Sequence, residues 1–137
     1  METNNTLNAP EYSLQGTLIE RMGIELTKVT AQVATGTMPV VGNTQPLGLL
    51  HGGASVVLAE TLGSIAASVH AGEGRTAVGI EVSATHHASA RSGHVYGTAT
   101  ALHLGKTTAS YEIVITDESG RRLCTSRLTC MIIVRRD

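Results

Sequence analysis

The stretch from Ala54 to Val69, ASVVLAETLGSIAASV, constrains this chain more than any other. One charge, Glu60, stands among side chains that are otherwise apolar, small, Gly or hydroxyl. Such a pattern predicts a helix packed in an interior on nearly all its faces. A carboxylate is expensive there unless it is paired or used. Thr61 or Ser64 can satisfy it structurally, and a solvent-facing Glu on a half-buried helix is the plainer alternative. Immediately upstream, His51-Gly52-Gly53 puts unobstructed backbone N–H donors where the helix begins. Two halves of a site can therefore lie in one short segment.

With 137 residues, the chain is expected to be one domain with a modest core. Ten basic against eleven acidic residues, and no basic block, argue against nucleic acid as a partner. Tyr12, Tyr96 and Tyr111 are the only aromatics, so stacking platforms for single strands are also missing. The core must come from Val, Ile, Leu, Ala and Met. Cys124 and Cys130 sit six apart, on one expected strand and one face, which suits two buried thiols in a reducing compartment better than a disulfide. The start, METNNTLNAPEYS, has neither the basic nor the apolar region of a secretory signal, and Glu60 interrupts the longest apolar run. A cytoplasmic protein that does not enter a membrane is expected.

Residues 1–9 read as disordered by composition, and 10–137 as a single domain. Pro10 to Met22 has near-helical apolar spacing and predicts a short amphipathic helix ended by Gly23. Ile24 to Val40 reads as strand, with a break near Lys28 or Thr30 that makes it a hairpin. Gly42, Asn43, Pro46 and Gly48 mark a loop, and the long helix runs from about Gly53 to His70. Strands follow over Thr76–His87, His94–Leu104, Thr107–Thr116 and Arg121–Val134, joined by short turns that imply an antiparallel meander. The expected class is α+β, with one long central helix wrapped by a curved antiparallel sheet of about five or six strands. Open sheet edges invite pairing between copies, so an oligomer is expected.

The helix start carries the positive end of the helix dipole, and bare Gly52 and Gly53 let a ligand oxygen approach its N–H groups. That suits a carbonyl gaining negative charge during attack. Glu60 and Ser64 share a helix face at i, i+4, where a hydroxyl can orient a carboxylate or hold a water against it. Gly52 lies about 12 Å from Glu60 along the axis, too far for both to act on one small carbonyl from a single helix. Two copies meeting at an interface can supply the donor from one and the acid from the other. Gln45, before Pro46, is a further polar candidate, although a loop Gln is more often only solvated.

The segment Gln45-Pro-Leu-Gly-Leu-Leu-His-Gly-Gly-Ala-Ser-Val-Val-Leu-Ala-Glu60-Thr-Leu-Gly-Ser64 resembles the signature of hotdog-fold acyl-CoA thioesterases. It is most similar to the branch of 4-hydroxybenzoyl-CoA and 1,4-dihydroxy-2-naphthoyl-CoA thioesterases. The likeness continues through VGIEVSATHHASARSGHVYG and LHLGKTTASYEIVITDESGRRLCTSRLT. The resemblance implies Glu60 as catalytic nucleophile or general base, and the Gly52 amide as the group polarising the thioester carbonyl. Gln45 and His51 would stand beside it, with Ser64 near the attacking group. It implies hydrolysis of an aromatic or related acyl-CoA to free acid and CoA without a metal or cofactor, in a homodimer that assembles into a homotetramer. His86, Ser89 and Arg91 at a strand end, with His103 and Lys106 at another turn, would meet the CoA nucleotide or pantetheine; a solvated turn is an equally good account of the first group.

Two adjacent His on a strand point to opposite faces, and no third ligand is spaced for a metal. His70, His94 and Arg135-Arg136 read as surface. A Ser-His-Asp triad lacks a suitable aspartate, since Asp117 lies in a hairpin and Asp137 at the end. A hotdog hydratase or dehydratase using His51 and Glu60, and a non-catalytic acyl-CoA-binding module, are the alternatives.

Overall fold

The computed structural model describes residues 13–136. The disorder expected over 1–9 and the helix start expected at Pro10 lie outside the described residues. A one-turn helix α1 (Leu18–Arg21) leads into strands β1 (Glu25–Val29) and β2 (Val33–Pro39), and then into the long helix α2 (Gly52–Ala71). Strands β3 (Arg75–His86), β4 (His94–Leu104), β5 (Thr108–Thr116) and β6 (Arg122–Val134) come after it. The first helix is thus much shorter than its apolar spacing predicts. Gly16, at φ 78°, and the Thr17 cap admit it only at Leu18, and Gly23, at φ 75°, ends it.

All six strands form one antiparallel sheet in the order β1-β2-β4-β5-β6-β3. The expected β1–β2 hairpin forms around Thr30, whose hydroxyl and amide both bond Val33 O. The meander is confined to β4-β5-β6. β3 does not join it in chain order but pairs with β6 at the far edge, Ala77 opposite Ile132 and Gly79 opposite Cys130. The crossing helix causes this difference, because α2 leaves β2 near one edge and delivers the chain to the other.

α2 packs against every strand of the sheet. Its sheet-facing side, including Ala54, Leu58, Ala59, Leu62, Ala66 and Ala67, is buried, whereas Val57, Glu60, Thr61, Ser64 and Ile65 are only half-buried. The helix is therefore not enclosed on nearly all faces within one chain. By length and composition it could cross a membrane, but half of that apolar stretch is buried inside the fold. Leu62 is seated between two glycines paired across β2 and β4: a Cβ on Gly36 would lie 3.0 Å from Leu62 Cδ2, and one on Gly97 2.7 Å from Leu62 Cδ1. Bare backbone at those positions lets the helix approach the sheet closely.

The loop into α2 is held by Asn43. Its buried side-chain amide donates to Met22 O at 2.9 Å and Pro39 O at 2.8 Å, while its backbone carbonyl accepts from His51 N at 2.9 Å. Leu50 N donates to Ala90 O at 2.8 Å, tying this loop to the segment after β3. The start of α2 is thus pinned from two directions.

Candidate active site

His51 caps α2, its Nδ1 accepting the Gly53 N–H at 2.8 Å. An acceptor Nδ1 puts the ring proton on Nε2. Ala54 N and Ser55 N donate to His51 O. Of the first helical amides this leaves Gly52 N–H without an acceptor among the described residues, whereas the Gly53 donor anticipated from sequence is occupied by the cap. Gln45 bridges the preceding turn: its side-chain carbonyl accepts from Leu47 N and its backbone carbonyl from Gly48 N. Its side-chain NH2 stays free to donate.

Two turns on, Glu60 lines a cavity of about 390 Å³ between α1, α2 and β3. Leu14, Leu18, Ile19, Val57, Ile65 and Ala77 give it an apolar wall; Thr61, Ser64, Ser68 and Thr76 bring hydroxyls to the same space. Among the described residues Glu60 has no hydrogen-bond or ion-pair partner, so neither Thr61 nor Ser64 satisfies it. Its carboxylate lies against the β3 backbone at Gly79. Ser64 Oγ is 3.9 Å from Cys130 Sγ, on the β6 residue paired with Gly79. Burial pushes the Cys130 thiol up, the Ser64 hydrogen bond opposes this, and the Glu60 charge adds to it. Both cysteines are free, buried and on one face of β6, in keeping with their spacing.

The residues assigned to CoA separate into two groups. His86 lies over the helix start, where a Cβ on Gly52 would come within 2.9 Å of its Nε2. Ser89 and Arg91 line a surface concavity of about 410 Å³ together with Asp117, Glu118 and Arg121. His103 and Lys106 are at the opposite end of α2, where His70 Nε2 donates to Gly105 O at 2.7 Å and Arg75 donates to Lys106 O at 3.1 Å. A 20-residue helix, about 30 Å long, separates the two groups within one chain. His70, read as plain surface, therefore ties the end of α2 to the β4–β5 turn.

Sequence reasoning did not find the anchoring role of Asn43, the placement of Arg121 or the opening at Gly79. Asn43 sits in a stretch that reads only as loop, and Arg121 precedes its strand as an ordinary hairpin cation. Gly79 did carry a signal, an isolated glycine between the β-branched Val78 and Ile80 in the interior of a strand.

A single antiparallel sheet cradling one long helix is the hotdog arrangement, and a free acid over a cavity on that helix suits hydrolysis of an activated ester. The profile of the Thioesterase superfamily matches residues 47–124. The chain is 49% identical over 129 residues to "Proofreading thioesterase EntH" of Cronobacter turicensis, covering 93% of this chain and 94% of that protein. It superimposes on the crystal structure of a thioesterase from Haemophilus influenzae with a TM-score of 0.84 at 39% identity, over 88% of this chain and 85% of that one. A mutant thioesterase from Pseudomonas aeruginosa matches with a TM-score of 0.85 at 38% identity, over 89% of each chain. This chain belongs to the thioesterase superfamily and is a thioester hydrolase.

Proposed function

We propose that the substrate is an aromatic acyl-CoA of the hydroxybenzoyl or dihydroxynaphthoyl type, hydrolysed to the free acid and CoA in the cytoplasm. The observation that carries this reading is the partnerless Glu60 carboxylate on the wall of a cavity that combines an aliphatic side with a group of hydroxyls. A flat ring packs on the first, and its hydroxyl substituents find partners among the second. The cavity volume lies in the range of sites for small ligands.

Glu60 acts on the thioester carbonyl, either by direct attack or by taking a proton from water held near Ser64. The new C–O bond forms as electron density moves to the carbonyl oxygen, which the Gly52 N–H stabilises. Collapse breaks the C–S bond. After attack by water, the CoA thiolate takes the proton held by Glu60 and the free acid is formed directly. After direct attack, the acyl group stays on Glu60 as an anhydride that a water hydrolyses to the free acid, restoring the carboxylate and supplying the thiolate's proton. Gln45 and His51 stand beside the carbonyl. His86, Ser89 and Arg91 contact CoA from one protomer, with His103 and Lys106 doing so from another, because a helix length separates the two groups within one chain. Gly52 and Glu60 are about 12 Å apart along one helix, so the working pair comes from two protomers. The edge strand β3 supports this, exposing Val78 and Ile80 by 42% and 52%. In this reading the homodimer pairs further into a homotetramer.

The test is thiol release from benzoyl-, 4-hydroxybenzoyl-, dihydroxynaphthoyl-, phenylacetyl- and straight-chain CoA esters. Hydroxylated aryl esters should give the highest kcat/KM; a preference for straight chains refutes the substrate class. Glu60→Gln should lower kcat by about a hundredfold or more while the protein melts like wild type. Turnover near wild type in that variant removes Glu60 from the chemistry.

A further inference from the structure

We infer that Gly79 is a positioning residue for the Glu60 carboxylate; the inference rests on the assignment of Glu60 as the acid that acts on the thioester. Gly79 sits inside β3, where glycine weakens a strand and no turn calls for it. Its φ lies outside the left-handed region, so alanine fits the backbone. A Cβ built there would stand 3.4 Å from Leu128 Cδ1, an ordinary contact, but would overlap Glu60 Oε2. Of the nearest atoms only the carboxylate oxygen stands in the way, and it is the end of a flexible side chain, so a methyl group is accommodated by displacing the acid.

The surroundings make the seat a defined one. Gly79 pairs with Cys130, whose thiol contacts Ser64 Oγ, so the β3–β6 pair at this level forms the floor beneath both Glu60 and Ser64. The pairing register shifts immediately afterwards, between Gly79 and Glu81, leaving Ile80 as the extra residue of a bulge. Bulges re-aim a strand and its side chains, and commonly sit next to active sites. The missing side chain at 79 gives the acid its place, and a methyl group there drives the carboxylate away from the floor and out of line with Ser64.

Three measurements test this on the full chain. First, Gly79→Ala should lower kcat by about a hundredfold, the scale of a misplacement near 1 Å, with KM changed less than about threefold. Second, Asp is shorter than Glu by one methylene, which withdraws the carboxylate from residue 79. In a Glu60→Asp background the further loss from Gly79→Ala should therefore be less than about threefold. Equal fold losses in the two backgrounds would mean that the methyl acts on the fold rather than on the acid, overturning the proposal. Third, melting reads the geometry without any substrate. In a Glu60→Ala background Gly79→Ala should raise Tm by roughly 2 °C, the ordinary gain of a compatible Gly-to-Ala change, and should give no gain with Glu60 present. The same shift in both backgrounds would show that the carboxylate does not occupy this space. A wild type that releases no thiol from any ester overturns the functional assignment and the positioning role with it, whereas the melting comparison still reports the contact.

Discussion

Replacing Leu62 by Ala is the sharpest perturbation of the scaffold that holds α2. Leu62 is fully buried, and its two methyl groups sit on Gly36 and Gly97, which face each other across β2 and β4. A Leu-to-Ala change in a core costs about 2–5 kcal/mol, rising with the volume of the hole that fails to collapse. Here collapse is resisted from below. The floor is hydrogen-bonded strand backbone with no side chain to swing in, so the loss should fall in the upper half, about 4 kcal/mol. For a chain of this length that is a fall in Tm of roughly 12 °C. Urea unfolding monitored by circular dichroism measures it, with the midpoint lowered and the m-value unchanged. The geometry also predicts a sign reversal. Gly97→Ala alone should destabilise, because its methyl would meet Leu62 Cδ1 at 2.7 Å and Leu58 Cδ2 at 3.3 Å. In the Leu62→Ala protein only the milder Leu58 contact remains, and filling the hole should recover about 1 kcal/mol. A loss below about 1.5 kcal/mol for Leu62→Ala, or the same sign for Gly97→Ala in both backgrounds, would refute the reasoning.

Asp117 accepts from Ser119 Oγ, Ser119 N and Arg121 N in the β5–β6 turn, and these bonds, the Ser119 hydroxyl foremost, hold its carboxyl down to about 2. A depressed native pKa contributes stability above the ordinary value near 4 that is lost as pH falls through about 2. The stability gap between wild type and Asp117→Asn should therefore be full at pH 6 and shrink steadily below pH 4; a pH-independent gap refutes it. Tyr111 is fully buried and donates to Ala31 O, and burial pushes its phenol well up, with the nearby Cys130 adding to the shift. Tyr111→Phe should cost about 1–3 kcal/mol in urea unfolding by leaving that carbonyl without its donor, and a neutral result would contradict the bond. Burial raises both cysteine thiols, so a disulfide reagent at pH 8 should label neither Cys124 nor Cys130 until the protein unfolds. Rapid labelling of the native protein would show that β6 is open.

Most of the architecture was legible because its signals are local. The apolar run after His-Gly-Gly marks α2 to within a residue at each end, and alternation bounded by Gly-rich turns marks β3 to β6 nearly as well. α1 was overextended because apolar spacing ignores the glycine at 16. In the site, Glu60 and Ser64 share a wall as their i, i+4 spacing requires. The Gly53 amide is lost to a cap that His51 supplies. Nothing in local spacing tells whether a His flanking a helix start will cap it or face a ligand.

Chain order and periodicity by themselves determined the elements, the turns and the presence of one acid on an apolar helix, since each depends on neighbours within a few residues. Which strand lies at the far edge, that Glu60 finds its seat over Gly79, and that His86 lies on Gly52 while His103 and Lys106 sit a helix-length away were decided only by tertiary structure. Those placements result from α2 crossing the sheet and returning the chain beside β6, a pairing between residues some fifty positions apart that no local pattern encodes.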